Sequence, residues 1–157
     1  MQASQTVALS RLVREIALEL APVALDKRIA LAFEEGGAAC IQGDPQMLRE
    51  LVANLIDNAS RYSPPDTQVE LATRVEGEAV VLTVSDQGPG IPAEERDKVF
   101  QRFYRILAPN KAPGSGLGLA IVREIALAHG GAIALDDAGA AGGLCVRVSF
   151  PRYRRGA

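Results

Sequence analysis

Three short stretches carry residue types whose spacing could do chemistry. "DQGPGIP", residues 86 to 92, follows the apolar run "AVVLTVS" and sets the carboxylate of Asp86 beside Gly88 and Gly90. Glycine lets the backbone approach a ligand closely, and an ionised carboxylate only accepts hydrogen bonds. At the bottom of a cleft that combination matches the exocyclic amine of adenine; the same residues also fit a plain turn between strand and helix. "GSGLGLAI" places Gly114, Gly116 and Gly118 at the opening of a helix, where unpartnered amides and the helix dipole suit an anion. A Rossmann fold would put such glycines after the first strand of a parallel unit, with an acid about 20 residues on. Here they follow a loop late in the chain, which disfavours that fold.

The third stretch is "ELVANLIDNAS". Glu50, Asn54 and Asn58 fall at i, i+4 and i+8 on one helix edge, next to an apolar stripe of Leu48, Leu51, Val52, Leu55, Ile56 and Ala59. Asn is a poor helix former because its amide competes with the backbone. The row fits a polar edge facing water. It also fits a cleft wall whose oxygens suit Mg²⁺, a hard cation commonly completed by water and phosphates. Between the glycine loops, Phe100 and Phe103 are spaced to anchor a short helix on the core. The aperiodic segment from about Arg105 to Pro113 has the composition of a lid, with Arg105 and Lys111 as cations for triphosphate or for solvent.

The elements that must position these residues are legible. Asp44 as N-cap and Pro45 at the first helical position begin a helix predicted to run to about Arg61, before "SPPD". "SRLVREIALELAPVAL" predicts an amphipathic helix ending near Pro22. "RIALAF" and "ACIQ" read as short strands, "TQVELATRV" and "EAVVLTVSD" as an antiparallel pair turning at Gly77, and "AIALDD" and "LCVRVSF" as a last hairpin. The helix after Gly118 closes at Gly130 and Gly131. Interleaved helices and hairpins predict an α+β fold, a mostly antiparallel sheet with helices on one face.

Composition sets the outer limits. A 157-residue chain with 48% hydrophobic residues suits one domain, and 4% aromatics make its core aliphatic. A net charge of −2 gives no nucleic-acid footprint, and the basic "RYRR" at Arg152 to Arg155 reads as a solvated tail. No apolar run reaches membrane-spanning length, and Cys40 and Cys145 lack metal or redox spacing and read as buried, reduced thiols.

In this order the motifs resemble those of the catalytic ATP-binding domain of bacterial sensor histidine kinases. "LRELVANLIDNASRYSP" resembles the N box, "DQGPGIP" and "GSGLGLAI" the two glycine boxes, and "VFQRFYR" the F box, over roughly residues 25 to 151. The resemblance implies a Bergerat fold, a two-layer α/β sandwich with ATP between helices and under a lid. It implies that Asn58 and Asn54 hold Mg²⁺, and that Asp86 takes the adenine amine in a pocket lined by Gly88, Gly90 and Ile91. Arg61, Tyr62, Arg105 and Lys111 would meet phosphates, with Gly114, Ser115, Gly116, Leu117, Gly118 and Leu119 at the lid's end. Asn54 and Arg105 would be the catalytic pair.

Two departures accompany it. Leu144 stands where the family usually has a threonine. The phosphoacceptor histidine is missing, since the only histidine is His129, in "ALAHGG", expected to pack or cap a helix end. Residues 1 to 24 are expected to be the end of a dimerisation helix and a linker, and 25 to 157 the ATP-binding domain. The resemblance thus implies the cytoplasmic portion of a longer, membrane-anchored sensor. Its partners would be the histidine-bearing dimerisation domain and a response-regulator receiver domain. The same superfamily includes ATP hydrolases (gyrase, MutL proteins, a chaperone) with a glutamate at the position of Asn54. An amide cannot take a proton from water at neutral pH, which favours transfer to an external nucleophile over hydrolysis. A nucleotide-binding module without catalysis is the other alternative.

Overall fold

A computed structural model describes residues 4–37, 39–88, 94, 96, 100, 118–139 and 142–154. The elements run β1 (Gln5–Ala8), α1 (Leu9–Asp26), β2 (Ile29–Gly36), β3 (Cys40–Gly43), α2 (Pro45–Tyr62), β4 (Thr67–Glu76), β5 (Ala79–Ser85), α3 (Gly118–Ala128), β6 (Ala132–Asp137) and β7 (Leu144–Pro151). Five strands form one sheet in the order β2-β4-β5-β7-β6, and β1 pairs with β3 in a small ribbon. Only β2 and β4 run parallel in the large sheet; its other neighbours are antiparallel.

Alternation along the strands creates the two layers. In β7 Leu144, Val146, Val148 and Phe150 are buried, while Cys145, Arg147 and Ser149 point to the other face. Val69 and Leu71 of β4 and Val80, Leu82 and Val84 of β5 share the inner face. The apolar stripe of α2 (Leu48, Leu51, Val52, Leu55, Ile56) joins Val122 and Ile125 of α3 in the same core. This is the mixed, mostly antiparallel sandwich that the sequence predicts. Asp44 caps α2 through Oδ1, which accepts from the backbone N–H of Gln46 at 2.9 Å, so the stripe starts in register.

Four features differ from expectation. The helix α1 continues through Pro22 to Asp26, because Ala24, only 3% exposed, extends the buried stripe past a proline that faces solvent. A boundary at residue 24 would therefore cut α1 two residues before its end. Leu9, Leu12, Val13 and Ile16 lie in the main core, and Gln5–Ala8 forms a strand, unforeseen in the sequence, that pairs with β3. Cys40 and Cys145 are unpaired but half-buried, since each sits on a strand with one open face. Part of the basic tail is also structural: the Tyr153 N–H donates to Cys40 O at 2.8 Å, and Arg154 pairs with Glu78 at 3.1 Å.

The turn after α1 and the turn before β4 are clamped together. Arg28 and Asp66 both hold left-handed backbones, with φ of 63° and 66°. The Asp66 N–H donates to Arg28 O at 2.8 Å, and the guanidinium grips the Asp66 carboxylate at both oxygens. Two residues that would individually resist this conformation thus hold each other in it.

Candidate functional site

Asp86 is placed by strand pairing. Ser85 pairs with Cys145 at the end of the β5–β7 ladder, and the Asp86 N–H extends the ladder by donating to Leu144 O at 2.9 Å. The Asp86 carboxylate turns back: Oδ1 accepts from Leu144 N at 3.2 Å and Gly88 N at 2.9 Å. Among the described residues Oδ2 has no donor, although Asp86 is only 6% exposed. Burial pushes the Asp86 carboxyl above the ordinary aspartate value, and the N–H groups of Gly88 and Leu144 hold that rise in check. The result is a fixed, half-satisfied carboxylate with one oxygen available to a ligand donor.

Two glycines make this geometry possible. A Cβ on Gly88 would lie 2.2 Å from Tyr62 O, so the loop after β5 closes against the end of α2 only with glycine there. Gly143, at φ +95°, would bring a Cβ to 2.1 Å from Asp86 O.

Along α2, Asn54 donates from Nδ2 to Glu50 O at 2.8 Å, the i to i−4 carbonyl. With its nitrogen so committed, Asn54 presents Oδ1 outward. A Cβ built on Gly118, the first residue of α3, would stand 4.0 Å from that oxygen. Asn58, one turn on, is half-buried and has no partner among the described residues. Two neutral amide oxygens on one edge fit a hard cation whose charge is balanced elsewhere, as a polyphosphate would balance it. Among the described residues no cluster of three His, Cys, Asp or Glu side chains could hold a metal by itself. Arg61 is ion-paired to Asp57 at 2.7 Å, one helical turn back, and Tyr62 is half-buried with its carbonyl against Gly88.

The structure therefore brings together Asn54, Asn58, Gly118 and the end of α2, with Asp86 and Gly88 closing on Tyr62. Leu119 sends its side chain into the core at 7% exposure, leaving its backbone for the site. Gly90, Ile91, Arg105, Lys111, Gly114, Ser115, Gly116, Leu117 and the lid segment lie outside the described residues. Sequence reasoning missed the Leu144 N–H and Gly143 as supports of Asp86, because both act through backbone whose position depends on the β5–β7 pairing. A separate cleft of about 270 Å³ between α1 and α2 shares Glu50 and Asn54 with this edge but contains neither Asp86 nor Gly88.

The two-layer fold, the carboxylate at the end of β5 and the amide row on α2 define an ATP-binding domain of the Bergerat type. Residues 43–154 match the family described as histidine kinase-, DNA gyrase B-, and HSP90-like ATPase, and the chain belongs to that family. It is 47% identical over 116 residues to the signal transduction histidine-protein kinase/phosphatase MprB of Mycolicibacterium smegmatis, covering 71% of this chain and 24% of that protein. It is 39% identical over 146 residues to the sensor protein kinase PmrB of Pseudomonas aeruginosa, covering 93% of this chain and 30% of that one. The chain thus spans about a quarter of the length of these relatives. A solved structure of the mycobacterial sensor histidine kinase MprB superposes with a TM-score of 0.83 at 32% identity, covering 96% of this chain and 98% of that one. Full-length ShkA in complex with AMPPNP superposes at 0.82 with 27% identity, covering all of this chain and 33% of that one. No described helix is long and apolar enough to cross a membrane.

Proposed function

We propose that this domain binds Mg-ATP and presents its γ-phosphoryl group to a histidine on another domain of a two-component sensor kinase. The observation that carries the proposal is the Asn54 amide. Its nitrogen is bonded to Glu50 O and its oxygen faces the glycine that opens α3. A hydrolase needs a base there to activate water, and an amide oxygen has no useful basicity at neutral pH. Positioning and charge stabilisation remain, which is what phosphoryl transfer chiefly requires of a protein.

In this assignment Asp86 Oδ2 accepts from the adenine amine, while Gly88, Gly90 and Ile91 let the base lie against backbone. Asn58 and Asn54 direct their oxygens to Mg²⁺, which when bound supplies charge neutralisation between the phosphates. Arg61, Tyr62, Arg105 and Lys111, with the backbone of Gly114 to Leu119, hold the phosphate chain. Being named kinases, MprB and PmrB support the assignment. His129 is unfit as the acceptor, since it is only 8% exposed and both ring nitrogens are hydrogen-bonded.

The test incubates the chain with γ-labelled ATP, with and without a separately supplied dimerisation domain carrying the acceptor histidine. Acid-labile label should appear only on the added domain. Label on His129, or brisk phosphate release without acceptor, would overturn the proposal, the second result in favour of a hydrolase.

A further inference from the structure

Besides sharing an apolar core, α2 and α3 come together at both ends of the stretch they share. At one end the Asn54 oxygen faces Gly118, the first residue of α3. At the other, His129, directly after α3, receives the Asp44 backbone N–H at Nε2 over 3.1 Å. Asn54 is ten residues on from Asp44 and His129 eleven on from Gly118, so the spans are about 15 and 17 Å at helical rise. The helices run antiparallel over that length, and fixing one end fixes the axial register of the other.

The His129 end is built as a lock. A backbone N–H can only donate, so Nε2 is the acceptor, and the ring proton lies on Nδ1 and is donated to Ile125 O, 2.8 Å away. The ring meets Phe150 edge-on, with centroids 6.2 Å apart. Space for it exists only because residue 43 is glycine: a Cβ there would come within 2.5 Å of His129 Cδ2 and 2.7 Å of Nε2. Asp44 is itself the N-cap of α2, so the bond reaches the residue from which that helix begins. These features go beyond the packing or capping role expected from sequence.

We propose that His129 is the positioning residue that sets the register of α3 against α2, and through it the placement of the Asn54 oxygen opposite the start of α3. Its functional consequence rests on the nucleotide-site assignment above; its structural content does not. Asp86 follows β5 and is held by the start of β7, and its loop closes on the end of α2, so none of these supports of the base pocket comes from α3.

The test compares His129→Ala and His129→Gln in the 157-residue chain. A glutamine amide offers an acceptor and a donor about as far apart as the two ring nitrogens, and can repeat the i−4 carbonyl bond that Asn54 makes. Nitrogen NMR of the wild type should show a neutral imidazole protonated at Nδ1. His129→Ala should shift the Gly118 N–H and Asn54 side-chain resonances, although they lie at the far end of the helices, and His129→Gln should restore them. Mg-ADP affinity should fall about tenfold in His129→Ala, the scale of one hydrogen bond, while adenosine affinity stays within about twofold. A protonated Nε2, or Gly118 and Asn54 resonances that ignore the alanine change in a folded chain, would overturn the lock. Equal loss of Mg-ADP and adenosine affinity would reduce His129 to a general stability residue. Should the wild type bind neither ligand, the nucleotide assignment falls, and the NMR comparison alone still decides the register.

Discussion

Replacing Asp86 by asparagine separates the carboxylate's two duties. Oδ1 holds the loop by accepting from Gly88 N and Leu144 N, while Oδ2 faces the site. Asparagine keeps an oxygen for the two backbone donors and puts an NH₂ group where a ligand donor would arrive. The fold should be unharmed, with a thermal midpoint equal to or above wild type, because a buried charge is removed without orphaning its partners. Asp86→Ala, by contrast, would leave both N–H groups without an acceptor, at about 1–3 kcal/mol each if they stay dry. For adenine, Asp86→Asn exchanges a charged hydrogen bond worth about 1.5–3 kcal/mol for two opposed donors. At about 1.4 kcal/mol per decade, ADP and adenosine affinities should both drop roughly 10- to 150-fold by calorimetry. Guanine nucleotides, which offer a carbonyl in place of the amine, should bind the wild type poorly and gain relative to adenine in Asp86→Asn. The same carboxylate sets a pH dependence. Because burial raises its pKa, the folded chain takes up this proton more readily than the unfolded one. That contribution to stability is present below the ordinary aspartate range and is lost as pH rises through the raised value. Adenine binding has the opposite sign: it needs the ionised acceptor and should weaken as pH falls through the raised value. Asp86→Asn should flatten that profile. Asn-variant affinity within threefold of wild type, or equal wild-type affinity for ATP and GTP, would refute the role assigned to Asp86.

Asn58→Ala should weaken Mg-ATP binding about tenfold while adenosine binding holds within about twofold, the scale of one polar contact to the metal–phosphate group; parallel losses in a titration would remove the metal role. Gly143→Ala forces a side chain at φ +95° toward a backbone oxygen 2.1 Å away, and should cost about 1–3 kcal/mol in chemical denaturation together with adenine affinity. An unchanged midpoint would mean that the β7 start does not press on Asp86 as described.

Local chemistry makes much of this protein legible in its sequence. The Asp44-Pro45 start, the 3.6-residue stripe after it and the alternation of β7 each concern neighbours along the chain, whose geometry the backbone dictates. The motif order carries the family, and the candidate site residues follow from that resemblance, their types alone leaving plainer alternatives open. What sequence leaves undecided depends on partners far along the chain. The helix α1 passes Pro22 because tertiary burial of Ala24 outweighs a local penalty, and β1 is a strand only because β3 lies beside it. Asp86 owes its fixed oxygen to Leu144, 58 residues away, and Gly88 must be glycine because of the Tyr62 carbonyl. By sequence His129 is a helix-end residue and nothing more. Its link to Asp44 spans 85 residues and needs the absent side chain of Gly43, a coincidence that no local period or propensity encodes and that only the packed α2–α3 pair brings about.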